Sequence, residues 1–229
     1  MNTSLSVDWF PLLLSLRVAI LSTIFVLLFG TALAYLLSHK EFRGKSLLDS
    51  AITLPLVLPP TVLGYYLLVL VGRASPLGRA YETVFGQPLV FTWQAAVVAA
   101  FLHSAPIYIK AARAVLEGVD YHYEWAAKSL GASEWRTFWR ITLPLARRGL
   151  TALGTLSFAR SLGDFGVTIM VAGNIPGRTQ TLSVAIYDAV ESGNGHLARI
   201  FVAAISIAAL ALLWSSGYWS KPARLSSAA

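Results

Sequence analysis

The chain alternates between long apolar runs and short polar connections. Five runs are long enough to cross a bilayer, because about 20 helical residues at 1.5 Å each span roughly 30 Å of hydrocarbon. These runs cover approximately residues 12–37, 48–71, 93–116, 145–171 and 197–218. Two further candidate helices, 76–85 and 181–190, are too short to cross and are expected at the outer surface. The pattern predicts a single all-α integral-membrane domain over residues 1–229.

Composition and charge support a membrane location. Hydrophobic residues make up 56% of the 229 residues and charged residues 13%, against roughly 25% charged residues in soluble domains. The net charge of +7 comes from Lys and Arg in short connections beside the apolar runs, which indicates membrane topology and not nucleic-acid binding. The chain has no cysteine, which excludes disulfides, thiolate metal ligands and a cysteine nucleophile.

The positions of the basic residues predict the orientation. They concentrate after the first run, around the loop at about 117–146, and near Lys221 and Arg224. Cytoplasmic segments carry an excess of Lys and Arg, so the N-terminus is expected outside and the C-terminus in the cytoplasm. The first ten residues lack the basic region of a signal peptide. The tail at 226–229 is expected to be frayed.

The loop at about 117–146 is the most unusual polar segment, and its central part reads EWAAKSLGASEWRTFWRITLP from Glu124 to Pro144. One helix is predicted to end at Gly131, with Glu124 and Lys128 paired four residues apart. Ser133 can cap a second short helix. Three aromatic residues share one side of that helix: Trp135, Phe138 and Trp139. Such an elbow either docks a partner protein or anchors itself at the membrane interface.

This segment resembles the EAA loop of ABC-importer permeases, in which Glu-Ala-Ala is followed by Gly after three residues and by Ile-x-Leu-Pro after nine more. The matching positions are Ala126, Ala127, Gly131, Ile141, Leu143 and Pro144. Trp125 replaces the glutamate of the family, so docking is expected to depend on shape and aromatic packing more than on that charge. The resemblance implies that the loop contacts an ATPase through ten residues: Glu124, Trp125, Ala126, Ala127, Gly131, Ala132, Ser133, Glu134, Ile141 and Pro144.

Three other segments, 48–68, 158–169 and 173–188, resemble the molybdate-importer branch of these permeases. The resemblance implies a type I importer core of five or six helices that forms a homodimer in a bacterial or archaeal inner membrane, with a path for molybdate or tungstate at the dimer axis. It also implies two cytoplasmic ABC ATPase subunits, which would bind ATP and magnesium, and an extracytoplasmic oxyanion-binding protein. The chain itself is expected to be a transport subunit without cofactor, metal or catalytic residue.

Several residues inside the apolar runs are candidates for the path or a gate. Arg160 and Asp164 would share one face of a continuous helix and could pair with each other or with other helices, as a structural bridge or as a gate. The prolines of LPLVLPP predict a kink that shapes either packing or the path. The remaining candidates are Pro59, Pro60, Thr61 and Ser104. The four histidines, His39, His103, His122 and His196, show no ligand spacing and are expected to be interfacial or packing residues.

Three other functions compete with molybdate import. A permease for sulfate or another oxyanion would share the same features. A stand-alone secondary transporter should contain paired interrupted segments, which the sequence lacks. An intramembrane enzyme should contain a convergent acid-base or metal cluster, which is also lacking.

Overall fold

The computed structural model describes residues 7–219, and every regular element in this range is helical. The α-helices, in chain order, are α1 (Phe10–Phe25), α2 (Thr31–His39), α3 (Lys45–Val57), α4 (Pro60–Val71), α5 (Pro76–Phe85), α6 (Trp93–Glu117), α7 (Tyr121–Ser129), α8 (Glu134–Thr137), α9 (Leu143–Leu162), α10 (Gly166–Ala172), α11 (Leu182–Glu191) and α12 (Gly195–Trp219). Two π-helical turns, Val26–Gly30 and Phe138–Thr142, connect α1 to α2 and α8 to α9. The all-helical prediction is confirmed.

Three helices of the described range are long and apolar enough to cross a membrane. They are Phe10–His39, which joins α1, the first π turn and α2, then Trp93–Glu117, and Gly195–Leu212 within α12. A fourth candidate is the pair α4 and α5, which pass the same test together but are bent by 63°. The first, third and fifth predicted runs therefore form continuous membrane helices.

The second and fourth predicted runs are interrupted, whereas the sequence predicted a kink in the second run and none in the fourth. The second run stops at Val57 and restarts at Pro60, because consecutive prolines lack the N–H groups that a continuous helix needs. The fourth run stops at Leu162, and α10 begins at Gly166. Pro55 lies inside α3 without ending it.

Helix α6 occupies the centre of the bundle and packs against α1, α2, α9 and α10. Two apolar clusters surround it. The first cluster joins the first half of α6 to α1, α4 and α10 through residues such as Val18, Leu67 and Val167. The second cluster joins the second half of α6 to α2 and α9 through residues such as Leu37 and Leu150. The second cluster lies at the elbow end of the bundle.

The two short helices predicted between the runs are present as α5 and α11. Ser75 caps α5 by accepting a hydrogen bond from the Gly78 amide at 2.8 Å. Thr181 is the residue before α11. Lys221, Arg224 and the predicted frayed tail at 226–229 lie outside the described residues.

Candidate functional site

The elbow between α6 and α9 is built by local capping interactions. Asp120 begins α7 by accepting a hydrogen bond from the His122 amide at 2.9 Å. That bond, with a second from the His122 ring, lowers the pKa of Asp120 below its ordinary value. At the other end of α7, Gly131 has a φ of +84°, and the Ala132 amide donates to the Ala127 carbonyl at 3.0 Å. Glycine is favoured at such a left-handed helix end, so the predicted stop at Gly131 is confirmed.

The second arm of the elbow begins at Ser133, whose hydroxyl accepts a hydrogen bond from the Arg136 amide at 3.3 Å. The predicted cap is therefore present. Helix α8 is only one turn long and continues through the second π turn into α9. Trp135 and Trp139 contact edge to face with ring centroids 5.5 Å apart, and Phe138 lies 5.4 Å from Trp139. The predicted aromatic side of this arm is therefore one packed cluster.

The inner face of α7 is fastened to the membrane helices by Glu124. Its Oε1 accepts a hydrogen bond from the Thr142 hydroxyl at 2.5 Å and lies 3.2 Å from Nε2 of His39 at the end of α2. The Glu124 side chain is only 12% exposed, and Thr142 is fully buried. Tyr35 stacks on His39 with centroids 4.3 Å apart. Glu124 therefore bridges both arms of the elbow and α2.

This arrangement differs from the prediction in one respect. Glu124 contacts His39 and Thr142 instead of Lys128, because α7 turns that side of the helix toward the bundle. The apolar residues Tyr123 and Leu130 are 58% and 89% exposed. They thus point away from the protein.

A second link joins the elbow to the end of α2. Lys40 Nζ donates to Oε2 of Glu134 at 2.5 Å, and both side chains are about half exposed. The hydrogen bond and the charge of Lys40 lower the pKa of Glu134. His39 and Lys40 were not predicted as site residues, since their partners are distant in sequence.

The outer face of the elbow is unusually apolar for an exposed surface. Trp125 is 68% exposed and Trp135 71% exposed. Ala126 is exposed, Ala127, Ala132 and Ile141 are half-buried, and Pro144 lies in the exposed first turn of α9. Clustered exposed apolar residues mark interaction surfaces. This surface presents Trp125 at the position where the EAA pattern has glutamate.

Arg160 and Asp164 are not joined in an ion pair within the described structure. Helix α9 ends at Leu162, so Asp164 leaves the helical face that it was predicted to share with Arg160. His103 on α6 lies between them, with Nε2 3.1 Å from the Arg160 guanidinium and Nδ1 4.0 Å from the Asp164 carboxylate. Asp164 also accepts a hydrogen bond from the Thr168 hydroxyl at 2.6 Å. The sequence singled out both charges but not His103.

The tautomer of His103 follows from these neighbours when the ring is neutral. A guanidinium can only donate, so Nε2 must accept and the proton lies on Nδ1, toward Asp164. The His103 imidazole on α6 therefore lies between the Arg160 guanidinium on α9 and the Asp164 carboxylate just after the end of α9.

The other path candidates lie in two different environments. Pro59, Pro60 and Thr61 form the exposed break at the start of α4. Pro60 packs so closely against Gly166 that a Cβ there would approach its Cβ to 2.6 Å. Ser104 is fully buried, donates to the Ala100 carbonyl at 2.8 Å and accepts from Ser161 at 3.3 Å. The structure thus does not bring Ser104 to the same surface as the proline break.

Long membrane helices, two interrupted helices and a capped elbow with an apolar outer face define a polytopic membrane protein of the transporter-permease type. A family profile described as the inner membrane component of binding-protein-dependent transport systems matches residues 26–219. The chain belongs to this family, and it is a multi-pass component of the inner membrane.

Curated relatives support the same assignment. The molybdenum transport system permease protein ModB of Escherichia coli strain K12 is 46% identical over 210 residues, which are 91% of this chain and 92% of that protein. ModB of Haemophilus influenzae is 43% identical over 204 residues, 88% of this chain and 89% of that protein. The sulfate permease CysW of Synechococcus elongatus is more distant, at 35% identity over 87% of this chain and 70% of its own.

Solved structures support the fold. The inward-facing MetNI methionine ABC transporter matches with a TM-score of 0.71 over 95% of this chain and 97% of that chain, at 17% identity. The predicted resemblance to ABC-importer permeases is confirmed, as is the prediction that the chain is a transport subunit and not an enzyme.

Proposed function

We propose that the chain is the permease subunit of an ATP-driven importer for molybdate, and for the similar dianion tungstate. The observation that carries the substrate class is the 46% identity to a molybdenum transport permease over nearly the whole of both chains. Sulfate permeases are also relatives, but they are less similar. The proposal includes a homodimer with the path at its axis, and the N-terminus outside.

The elbow is the proposed contact for a cytoplasmic ATPase subunit. Its outer face offers Trp125, Ala126 and Trp135 to a partner, while its inner face is fastened to α2 through Glu124 and His39. A displacement of the outer face by a bound partner would therefore be transmitted to α2 and α9 through these contacts. This geometry supports a role in which ATP-driven motion of a partner is passed to the membrane helices.

The proposal is tested with the chain purified together with its ATPase and reconstituted in proteoliposomes with its oxyanion-binding protein. We expect ATP-dependent uptake of radioactive molybdate, with unlabelled tungstate competing more strongly than sulfate. Stronger competition by sulfate would transfer the substrate assignment to the sulfate class. Uptake without any ATPase subunit would instead favour a secondary transporter.

Trp125 provides a sharper test of docking. Trp125→Ala removes a large exposed side chain from the proposed contact, and such aromatic residues often contribute 2 kcal/mol or more to an interface. We expect at least tenfold weaker retention of the ATPase during purification. Tyr187→Ala is the matched control, because Tyr187 is an exposed aromatic residue, 47% exposed, on α11 away from the elbow. Equal retention of the ATPase by both variants would contradict docking through Trp125.

A further inference from the structure

A cavity of about 570 Å³ opens on the side of the bundle between the first membrane helix, α6, α8 and α9. Its volume is in the range of roughly 300–1,000 Å³ that is usual for ligand sites. The wall includes Leu28, Ala32, Phe138 and Leu150. The cavity is therefore a largely apolar chamber that reaches the lateral surface.

The few hydroxyls in the wall already have partners in the protein. Thr31 and Tyr108 share one hydrogen bond at 2.7 Å, and both are buried. The Thr151 hydroxyl donates to the Arg148 carbonyl at 3.0 Å. The wall thus favours hydrocarbon over a sugar, a nucleotide or an oxyanion.

The cavity spans most of the depth of one membrane leaflet. On the first membrane helix its wall runs from Leu27 to Tyr35, which are eight positions apart in the chain. At 1.5 Å per helical residue this distance is roughly 12 Å, and half of the hydrocarbon core of a bilayer is roughly 15 Å thick. The cavity consequently extends from the elbow end of the bundle toward the middle of the bilayer.

One basic side chain lies at the cavity. Arg147 belongs to the lining, and three more arginines, Arg136, Arg140 and Arg148, lie nearby in sequence. Within residues 7–219 none of the four forms an ion pair with a carboxylate. Trp135 and Trp139 also line the cavity, and their side chains are 71% and 50% exposed, respectively. Tryptophans and arginines in this arrangement are typical of the headgroup level of a membrane.

We infer that this cavity binds one acyl chain of an anionic phospholipid from the leaflet on the elbow side, with the lipid phosphate on Arg147. The depth matches a single leaflet, the wall matches hydrocarbon and the mouth matches a negative headgroup. In a two-fold symmetric contact, a second copy of this chain would bring its own Arg147, and the like charges would repel. A soluble partner could not enter a chamber that lies inside the membrane.

Trp135 and Phe138 belong both to the cavity wall and to the elbow. A bound lipid would therefore contact the elbow through Trp135, a residue that also belongs to the surface proposed for the ATPase. Lipid composition would then influence how firmly the elbow is packed, whichever substrate is transported.

The test uses the purified complex in nanodiscs and two photoactivatable lipids with the same diazirine-labelled acyl chain, phosphatidylglycerol and phosphatidylcholine. We expect phosphatidylglycerol to label residues of the cavity wall at least fivefold more than phosphatidylcholine. Arg147→Gln should abolish this preference. Arg148→Gln is the matched control, because Arg148 is also exposed but does not line the cavity.

A second variant separates the chain from the headgroup. Ala32→Phe places a ring in the cavity and should reduce labelling of its wall by both lipids, whereas Leu36→Phe on the outer side of the same helix should not. Equal labelling in the Arg147 and Arg148 variants would overturn the headgroup assignment. Unchanged labelling in Ala32→Phe, or cross-links from this cavity to a second copy of the chain, would overturn lipid binding. None of these outcomes depends on molybdate uptake.

Discussion

Replacement of Glu124 tests how the elbow is fastened to the bundle. The carboxylate accepts one hydrogen bond from the Thr142 hydroxyl and lies beside His39, and its side chain is 12% exposed. Glu124→Ala removes both contacts and leaves the hydroxyl of the fully buried Thr142 without its acceptor. A hydrogen bond to a charged group contributes about 1.5–3 kcal/mol, and an unsatisfied buried partner costs a similar amount.

We therefore expect Glu124→Ala to lower the free energy of unfolding of the purified protein by about 3 kcal/mol. Glu124→Gln keeps an acceptor oxygen for Thr142 and should lose about 1 kcal/mol. Denaturant titration followed by tryptophan fluorescence measures both values. Glu134→Gln is the control, because it removes only an exposed ion pair with Lys40, and such pairs contribute much less to stability than a buried hydrogen bond.

A double-mutant cycle with Thr142→Val isolates the direct contact. Neighbouring residues in one hydrogen-bond network usually show coupling of about 0.5–3 kcal/mol, and we expect about 1.5 kcal/mol between Glu124 and Thr142. Additive effects would refute the hydrogen bond as the fastening element. In proteoliposomes, Glu124→Ala should also lower the number of molybdate ions imported per ATP. An unchanged ratio would show that the fastening does not contribute to coupling.

Three further perturbations address other parts of the structure. Gly131→Ala forces a residue with a Cβ into a left-handed conformation and should lower the free energy of unfolding by at least about 1 kcal/mol, measured by denaturant titration. Gly118→Ala is the control and should be nearly neutral, because Gly118 has a φ of −77°. Equal losses of stability would contradict the left-handed turn at Gly131. Asp164→Asn should impair uptake without preventing assembly, as measured by size-exclusion chromatography and transport, and normal uptake would remove Asp164 from any gate. Lys40 lowers the pKa of Glu134. Their ion pair therefore stabilises the fold above the unfolded pKa of about 4.3, and this stabilisation is lost as pH falls through the lower folded pKa. NMR titration of a sample labelled at Glu134 should show the lowered pKa, and Lys40→Ala should raise it.

Local features of the elbow could be predicted because their partners are near in sequence. The turn at Gly131 is closed by the amide of the next residue, Ala132, and Ser133 accepts a hydrogen bond from the amide of Arg136, three residues later. Both partners of each interaction therefore lie within one short sequence pattern. The inward turn of Glu124 could not be predicted, since His39 is 85 residues away. Only the packed bundle brings these two residues together.

The breaks in the membrane helices also could be predicted only in part from the sequence. Consecutive prolines at Pro59 and Pro60 predicted a kink, and the structure contains a full break. The end of α9 at Leu162 was missed because the apolar run continues through Gly163 without a proline. As a result, the relation of Arg160 to Asp164 was predicted on a helix that had already ended, and His103 was not recognised between them.

The two apolar clusters have a mechanical consequence. Because α4 and α10 begin at breaks, only the first membrane helix and α6 run without interruption from one cluster to the other. Each of these two is irregular near its midpoint, at the π turn Val26–Gly30 and at Pro106. The first membrane helix and α6 thus connect the two clusters, and each has an irregular turn between them. We expect spin-label distances to change more between the two clusters than within them when ATP binds to the complex.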